Sequence, residues 1–363
     1  MTHAPWHFST CAAALVVALA LPTWCTQAEG AEPPAATSQD GWVNISQTFF
    51  TKIGSYDIDP RVPYLRRCLG LIVTPTGDLV MQTATQGICV SRDQGATWAV
   101  VPDNGIAGRC EDGNGMSIAY PYDGRMAFFA YDGADGMSGG ISLDGARTWK
   151  PFSQLKRGVQ FGDVDWSTKD PQTVFAVTHE PFLTVLSVDG GKNWRQLDVD
   201  EDVGEANGWV GVIDANHLTR FNRHSGTIEW SEDAGVTWSQ VAYFHVRGYR
   251  PVHYGPRLYW TTAKGVITSL DGKDWTLTGP GAEGACYGPY FGASDQEFVV
   301  VTDNAFLKTK DGGKSWKTLT GMYRAPDIFS AALTYYGWDA AHDILYASGL
   351  GASVFRFKVG TAP

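Results

Sequence analysis

SRDQGATW (91–98) is the stretch on which the fold turns, because it comes back as SLDGARTW (142–149), SVDGGKNW (187–194), SEDAGVTW (231–238), the shortened SLDGKDW (269–275) and TKDGGKSW (309–316). Successive copies start 38 to 51 residues apart, the length of one four-stranded propeller blade. The shared pattern is Ser/Thr-x-Asp-x-Gly-x-Thr-Trp, and each position has a physical reason. An Asp carboxylate accepts hydrogen bonds from the backbone of its own turn. Gly takes a positive φ without steric cost. The Trp opens the next strand and lays a large ring against the neighbouring hairpin. Such turns are scaffold and are not expected to catalyse.

Working outward, each copy is flanked by short strands with alternating or wholly apolar patterning. Blade 3 reads FGDVDWSTKDP, TVFAVTHE, FLTVLSVD and NWRQLD; blade 1 reads CLGLIVTP, DLVMQTAT, GICVSRD and TWAVVPD. The last copy is followed by SAALTYYGW, ILYASGL and SVFRFKV, three strands without a fourth. At the other end, SQDGWVNIS (38–46) is a lone strand behind a compressed copy of the turn. Pairing it with those three predicts an all-β, seven-bladed β-propeller, the ring closed by an N-terminal strand in the last blade, which leaves no sheet edge exposed. A ring of six blades would leave these segments without partners.

The residues ahead of the first strand read as a processing segment. Thr10 to Leu21 is a compact apolar stretch, too short to span a bilayer. Thr26-Gln27-Ala28 supplies a small-x-small cleavage pattern. The expected organisation is therefore a signal peptide over 1–28, a Pro/Ala/Ser-rich linker over 29–39 and the propeller over 40–363, in a secreted or periplasmic protein. Trp24 before Cys25 disfavours a lipid anchor, and no later stretch is long and apolar enough to span a membrane. The formal net charge of −10 and the absence of any Lys/Arg run argue against nucleic acid as partner. Cys68, Cys89, Cys110 and Cys286 remain after the signal region. Cys68 with Cys110, both beside loops of one face, is the expected disulfide, with buried free thiols as the alternative. No zinc-ligand spacing, P-loop or dinucleotide fingerprint occurs, so neither metal nor cofactor is expected, and the chain is expected to act as a monomer.

The repeated octapeptide resembles the Asp box of the sialidase-like propellers, and DPQTVFAVT followed by SVDGGKNW resembles repeats in xyloglucanases, sortilin-type receptors and photosystem assembly propellers. The resemblance covers the repeats and implies a propeller scaffold. For activity it implies glycoside hydrolysis by paired carboxylates. Asp163, in GVQFGDVDW, stands where a Gly-Asp segment carries the general acid of xyloglucanases. The stretch matching their base is Thr85-Gln86-Gly87, with Gln in place of Asp. Sialidases open on a Phe-Arg-Ile-Pro-like segment, of which Asp59-Pro60-Arg61-Val62-Pro63 is a faint echo. Fold alone does not carry function.

In a propeller, the loops joining blades and those joining second to third strands share one face, and ligand sites collect there. Here those loops are long and polar. FHVRGYRPVHYG gathers His245, Arg247, Tyr249, Arg250, His253 and Tyr254 with no acid, which suits an anionic group held by Arg forks. Arg223 and His224 in the adjacent blade join the candidate substrate-binding set. His253 and Tyr254 could move protons in β-elimination on a uronic-acid polymer. Asp163, expected at the channel mouth, and Glu180 are the candidate carboxylates for hydrolysis, with Glu111, Asp112, Asp57, Asp59 and Asp327 as further partners. Trp209, Tyr287, Tyr290 and Tyr323, with Arg324, are candidate sugar platforms. Three functions therefore stand open for an extracellular polysaccharide or glycan: hydrolysis, elimination, or binding of a glycan or protein without catalysis.

Overall fold

A computed structural model describes residues 38–39, 41–53, 68–83, 86–106, 117–131, 139–153, 155, 158–178, 182–197, 209–248, 250–321, 334–349 and 352–360. Within the unit Ala36–Pro363 the strands form seven antiparallel sheets, six of four strands and one of five. The protein is a seven-bladed β-propeller with almost no helix. Blade 3 is representative, with strands Val159–Val164, Val174–Thr178, Thr184–Ser187 and Arg195–Gln196 in sequential order. First strands of neighbouring blades meet, as Val159–Val164 touches Trp209–Val212. In the seventh sheet Thr334–Asp339, Ile344–Gly349 and Phe355–Lys358 are followed outward by Trp42–Asn44, which runs antiparallel to Phe355–Lys358 with Trp42 opposite Phe357. Trp42 is fully buried there, its ring 5.5 Å from Phe357 and 6.1 Å from Phe306.

The octapeptide forms the turn between third and fourth strands, and its hydrogen bonds repeat from blade to blade. In blade 3 the Ser187 hydroxyl donates to Asp189 Oδ1 at 2.8 Å and accepts from the Gly191 N–H at 2.8 Å. Asp189 Oδ1 accepts from the Asn193 N–H, and Oδ2 from the Asn193 side chain at 2.6 Å. The same set recurs with Asp93, Asp144, Asp233 and Asp311. Gly191 has to be glycine twice over: its φ is +83°, and a Cβ would meet the Phe152 ring at 2.2 Å. Several turn tryptophans tie blades together, as Trp98 Nε1 donates to the Ile45 carbonyl and Trp316 Nε1 to the Pro280 carbonyl. They are less buried than their size led one to expect, because the ring spans the outer rim of the blade junction. Trp98, Trp194, Trp238 and Trp316 all keep partial exposure.

The apolar cores lie between blades. One interblade segment read as loop contains a helix, Gln47–Lys52, whose Phe49 and Phe50 are buried. Asn44 Oδ1 starts it by accepting from the Ser46 and Gln47 N–H groups, and Phe49 stacks 6.0 Å from Trp98. Cys68, Cys89 and Cys286 are free thiols. Cys68 is fully buried, with its Sγ directed to the Gly70 carbonyl. The expected partner of Cys68 in a disulfide, Cys110, lies outside the described residues. No described helix is long and apolar enough to cross a membrane.

Candidate functional site

Because each first strand starts from an interblade loop, it begins on the interblade face and ends on the face of the octapeptide turns. Asp163 is the fifth residue of Val159–Val164 and His253 the middle residue of Val252–Tyr254. Both therefore sit toward the octapeptide face. Asp163 was expected at the channel mouth; instead it is 0% exposed, because its side chain turns to the inner strands of blades 4 and 5. Its Oδ2 accepts from the Val212 N–H at 2.9 Å and meets His253 Nε2 at 2.6 Å. One carboxylate oxygen thus ties three consecutive blades. Its other oxygen, Oδ1, is buried without a protein partner among the described residues.

Arg250 leads into the strand that carries His253. Burial pulls its guanidinium down from the usual arginine value, opposed by the nearby charge of Asp163 and by Tyr122 and Tyr290. Its Nη1 donates to the Pro251 carbonyl at 3.2 Å. Arg250 lines a cavity that runs along the inner strands of blades 1, 2, 5, 6 and 7. Its aromatic wall is built from Tyr120, Tyr122, Tyr287, Tyr290, Tyr335, Tyr336 and Trp338, and among the described residues no Asp or Glu lines it. Burial raises the phenols of Tyr120, Tyr122 and Tyr290 above the ordinary tyrosine value, so they stay protonated. The Tyr122 hydroxyl donates to the Pro289 carbonyl, whereas the Tyr120 hydroxyl is buried without a protein partner among the described residues. About 50 Å³ inside is open to the centres of water-sized molecules. At roughly 10–15 Å³ for each water, that admits a few waters or one small substituent, not a sugar ring.

The stretch FHVRGYRPVHYG is not one loop. His245 is exposed before the bridge between Val246 and Thr262, whereas His253 and Tyr254 belong to a strand. Tyr254 packs on Phe291 at 4.6 Å and Tyr122 at 6.0 Å, on the octapeptide side. Nor is the stretch without an acid in space. Asp303, from the second-to-third-strand turn of blade 6, grips Arg247 with two hydrogen bonds of 2.8 and 2.9 Å. That fork lowers the Asp303 carboxyl and raises the Arg247 guanidinium. Arg223 lies 5.6 Å over the Trp209 ring, which stacks on Phe221 at 5.1 Å; His224 beside it is exposed. Tyr287 and Tyr290 are both on the cavity wall.

Glu180, Tyr249, Tyr323, Arg324, Glu111, Asp112, Asp57, Asp59 and Asp327 lie outside the described residues. Sequence reading passed over Tyr120, Tyr122, Tyr335 and Tyr336, which sit on or beside inner strands and read as core. The signal that could have found them is the density of tyrosine on the first strands of blades 2, 6 and 7. It also passed over Asp303, since nothing local marks an acid 56 residues from its arginine.

No family model and no curated protein matches the chain. Solved structures resemble it in fold. A GH74 enzyme of Niastella koreensis superposes with a TM-score of 0.52 at 16% identity, over 82% of this chain and 44% of that one. Virginiamycin B lyase from Staphylococcus aureus gives 0.50 at 11% identity, over 88% and 98%. This chain spans less than half the length of the Niastella koreensis enzyme. At such identities the likeness is one of architecture, the seven-bladed β-propeller.

Proposed function

We propose that this chain is an exported propeller that binds an acidic glycan at the mouth of its central channel and does not cut it there. The observation that carries this reading is the cavity wall, where Arg250 stands among six tyrosines with no carboxylate among the described residues. A desolvated guanidinium beside protonated phenols offers charge and hydrogen-bond donors to an anionic substituent. The aromatic rings offer flat apolar surface to the sugar outside. Hydrolysis asks for two carboxyl groups about 5–10 Å apart across a bond. The described wall supplies none, and Asp163 is sealed behind it. The small interior favours a protruding carboxylate over a whole ring.

We also read the repeated turns as Asp boxes, and the pairing of Trp42–Asn44 with Phe355–Lys358 as the closure of the ring. Export follows from the segment 1–28, and the mature chain would begin after Ala28.

The test is a panel of acidic and neutral polysaccharides, followed by calorimetry, by reducing-end release and by absorbance near 235 nm. Binding of polyuronates, weakened when their carboxyls are reduced to alcohols, is the expected result, with neither product signal. New reducing ends without that absorbance would replace this reading with hydrolysis, and growth of the absorbance with elimination.

A further inference from the structure

One side chain crosses the central channel at its octapeptide end. Tyr122 lies in the turn after the first strand of blade 2, Ile118–Ala119, a blade flanked by blades 1 and 3. Its ring nevertheless packs on the far side, 6.0 Å from Tyr254 of blade 5 and 5.4 Å edge-on from Phe291 of blade 6. Its hydroxyl donates to the Pro289 carbonyl, also of blade 6. The ring touches both the apolar core of blades 1, 2 and 7 and that of blades 5 and 6. A contact between blades three places apart on a ring of seven has to pass over the axis. Tyr122 lines the cavity and is half-buried, so one side of it meets the cavity and the other meets solvent.

The backbone is set for that reach. Tyr122 has a φ of +65°, a left-handed conformation that glycine takes freely and a bulky side chain rarely does. Such a residue persists only where its surroundings over-determine it, and such residues collect at functional positions. Here the turn is clamped on both sides. Asp123 accepts from the Arg125 N–H at 3.0 Å and from its Nε at 2.8 Å. Arg125 in turn donates to the Trp166 carbonyl of blade 3 at 2.8 Å, its guanidinium 5.4 Å over the Trp166 ring. The Gly124 carbonyl accepts from the Gly145 N–H of the octapeptide turn at 3.1 Å. We propose that Tyr122 is the stopper of the channel and a specificity-determining residue. It makes the channel a blind pocket, entered from the interblade face, and sets how far in a ligand reaches. A protruding group fits such a pocket and a chain passing through does not. The stopper also keeps water from reaching the Arg250 wall from behind, where a higher local dielectric weakens attraction for an anion. The closure stands on geometry alone; its ligand rests on the acidic-glycan reading.

The test removes the ring and returns it as a free molecule. Tyr122→Gly suits the observed φ and leaves a hole the shape of p-cresol. Tyr122→Asn, which also tolerates that φ, repeats the test if the glycine variant does not fold. Calorimetry should find a p-cresol site in the shortened variants and none in the wild type or in Tyr122→Phe, whose ring still fills the position. A crystal structure of the shortened variant should show the cavity open to solvent at the octapeptide face. Trigalacturonate should bind Tyr122→Gly about tenfold more weakly than the wild type, and saturating p-cresol should restore the affinity. Restoration by a free ring is the result that a merely structural role does not deliver. A channel that stays closed without the ring, with no p-cresol bound, overturns the proposal, and so does p-cresol binding that is the same in every protein. Unchanged trigalacturonate affinity in Tyr122→Gly overturns the role in specificity. If trigalacturonate binds no protein while p-cresol binds the shortened variants alone, the glycan reading falls and the stopper stands.

Discussion

Asp163 and Asp303 each meet a base, and burial makes them different objects. Asp163 is wholly enclosed, and truncating it strands the Val212 N–H and the His253 ring in a site water does not reach. Breaking a buried pair from one side costs about 3–5 kcal/mol. Asp163→Ala should therefore lower unfolding stability in urea by about that much. Asp303→Ala breaks a fork whose members are 32% and 57% exposed and should cost at most about 1 kcal/mol. Equal losses in the two variants would mean that the Asp163 bridge is not the interior tie described. The chemistry of both residues in the bridge could be picked out from the sequence by residue type alone. Their partnership could not, since 90 positions separate them and the contact depends on how three blades curve. The acid beside Arg247 was out of reach for the same reason: Asp303 comes from another blade.

At the scale of the element, the octapeptide was legible because every part of it is local. Its Asp, Ser and Gly satisfy one another within five residues, so sequence and geometry coincide. The six-residue helix Gln47–Lys52 was not legible, being too short for a helical period and held by the Phe49 contact with Trp98. The turns also give the fold an acid limit. The Asn193 N–H and side chain, then Ser187, hold the Asp189 carboxyl down to about 2. Thr237 and Ser231 do the same for Asp233, and Ser315 and Thr309 for Asp311. A carboxyl depressed in the folded state stabilises above its unfolded value of about 3.9 and loses that contribution as pH falls through the folded one. The melting temperature should accordingly fall between about pH 4 and pH 2, with little change from these groups above pH 5. Asp189→Asn, which cannot titrate, should flatten the dependence; an unchanged slope would remove the turns from the acid response.

For the whole molecule, the number of blades could be read from the sequence, because octapeptide turns at blade spacing and unpaired strands at the two ends admit few arrangements. The site could be read only in part. The expectation of an anionic ligand comes from the stretch FHVRGYRPVHYG, which carries Arg250. The tyrosines that make the wall come from blades 2, 6 and 7, and meet only when the inner strands circle one axis. A propeller places its first strands side by side regardless of what they carry, so the scaffold repeats while the channel lining does not. This also explains why likeness of fold to a GH74 enzyme and to a lyase leaves the lining to decide the chemistry. The most direct test is calorimetric titration of trigalacturonate into the wild type and Arg250→Gln at pH 5. Loss of a charge-assisted pair in a desolvated site should weaken binding by about tenfold or more, with the melting curve retained. Equal affinity in the two proteins would contradict the channel as the place where the ligand is held.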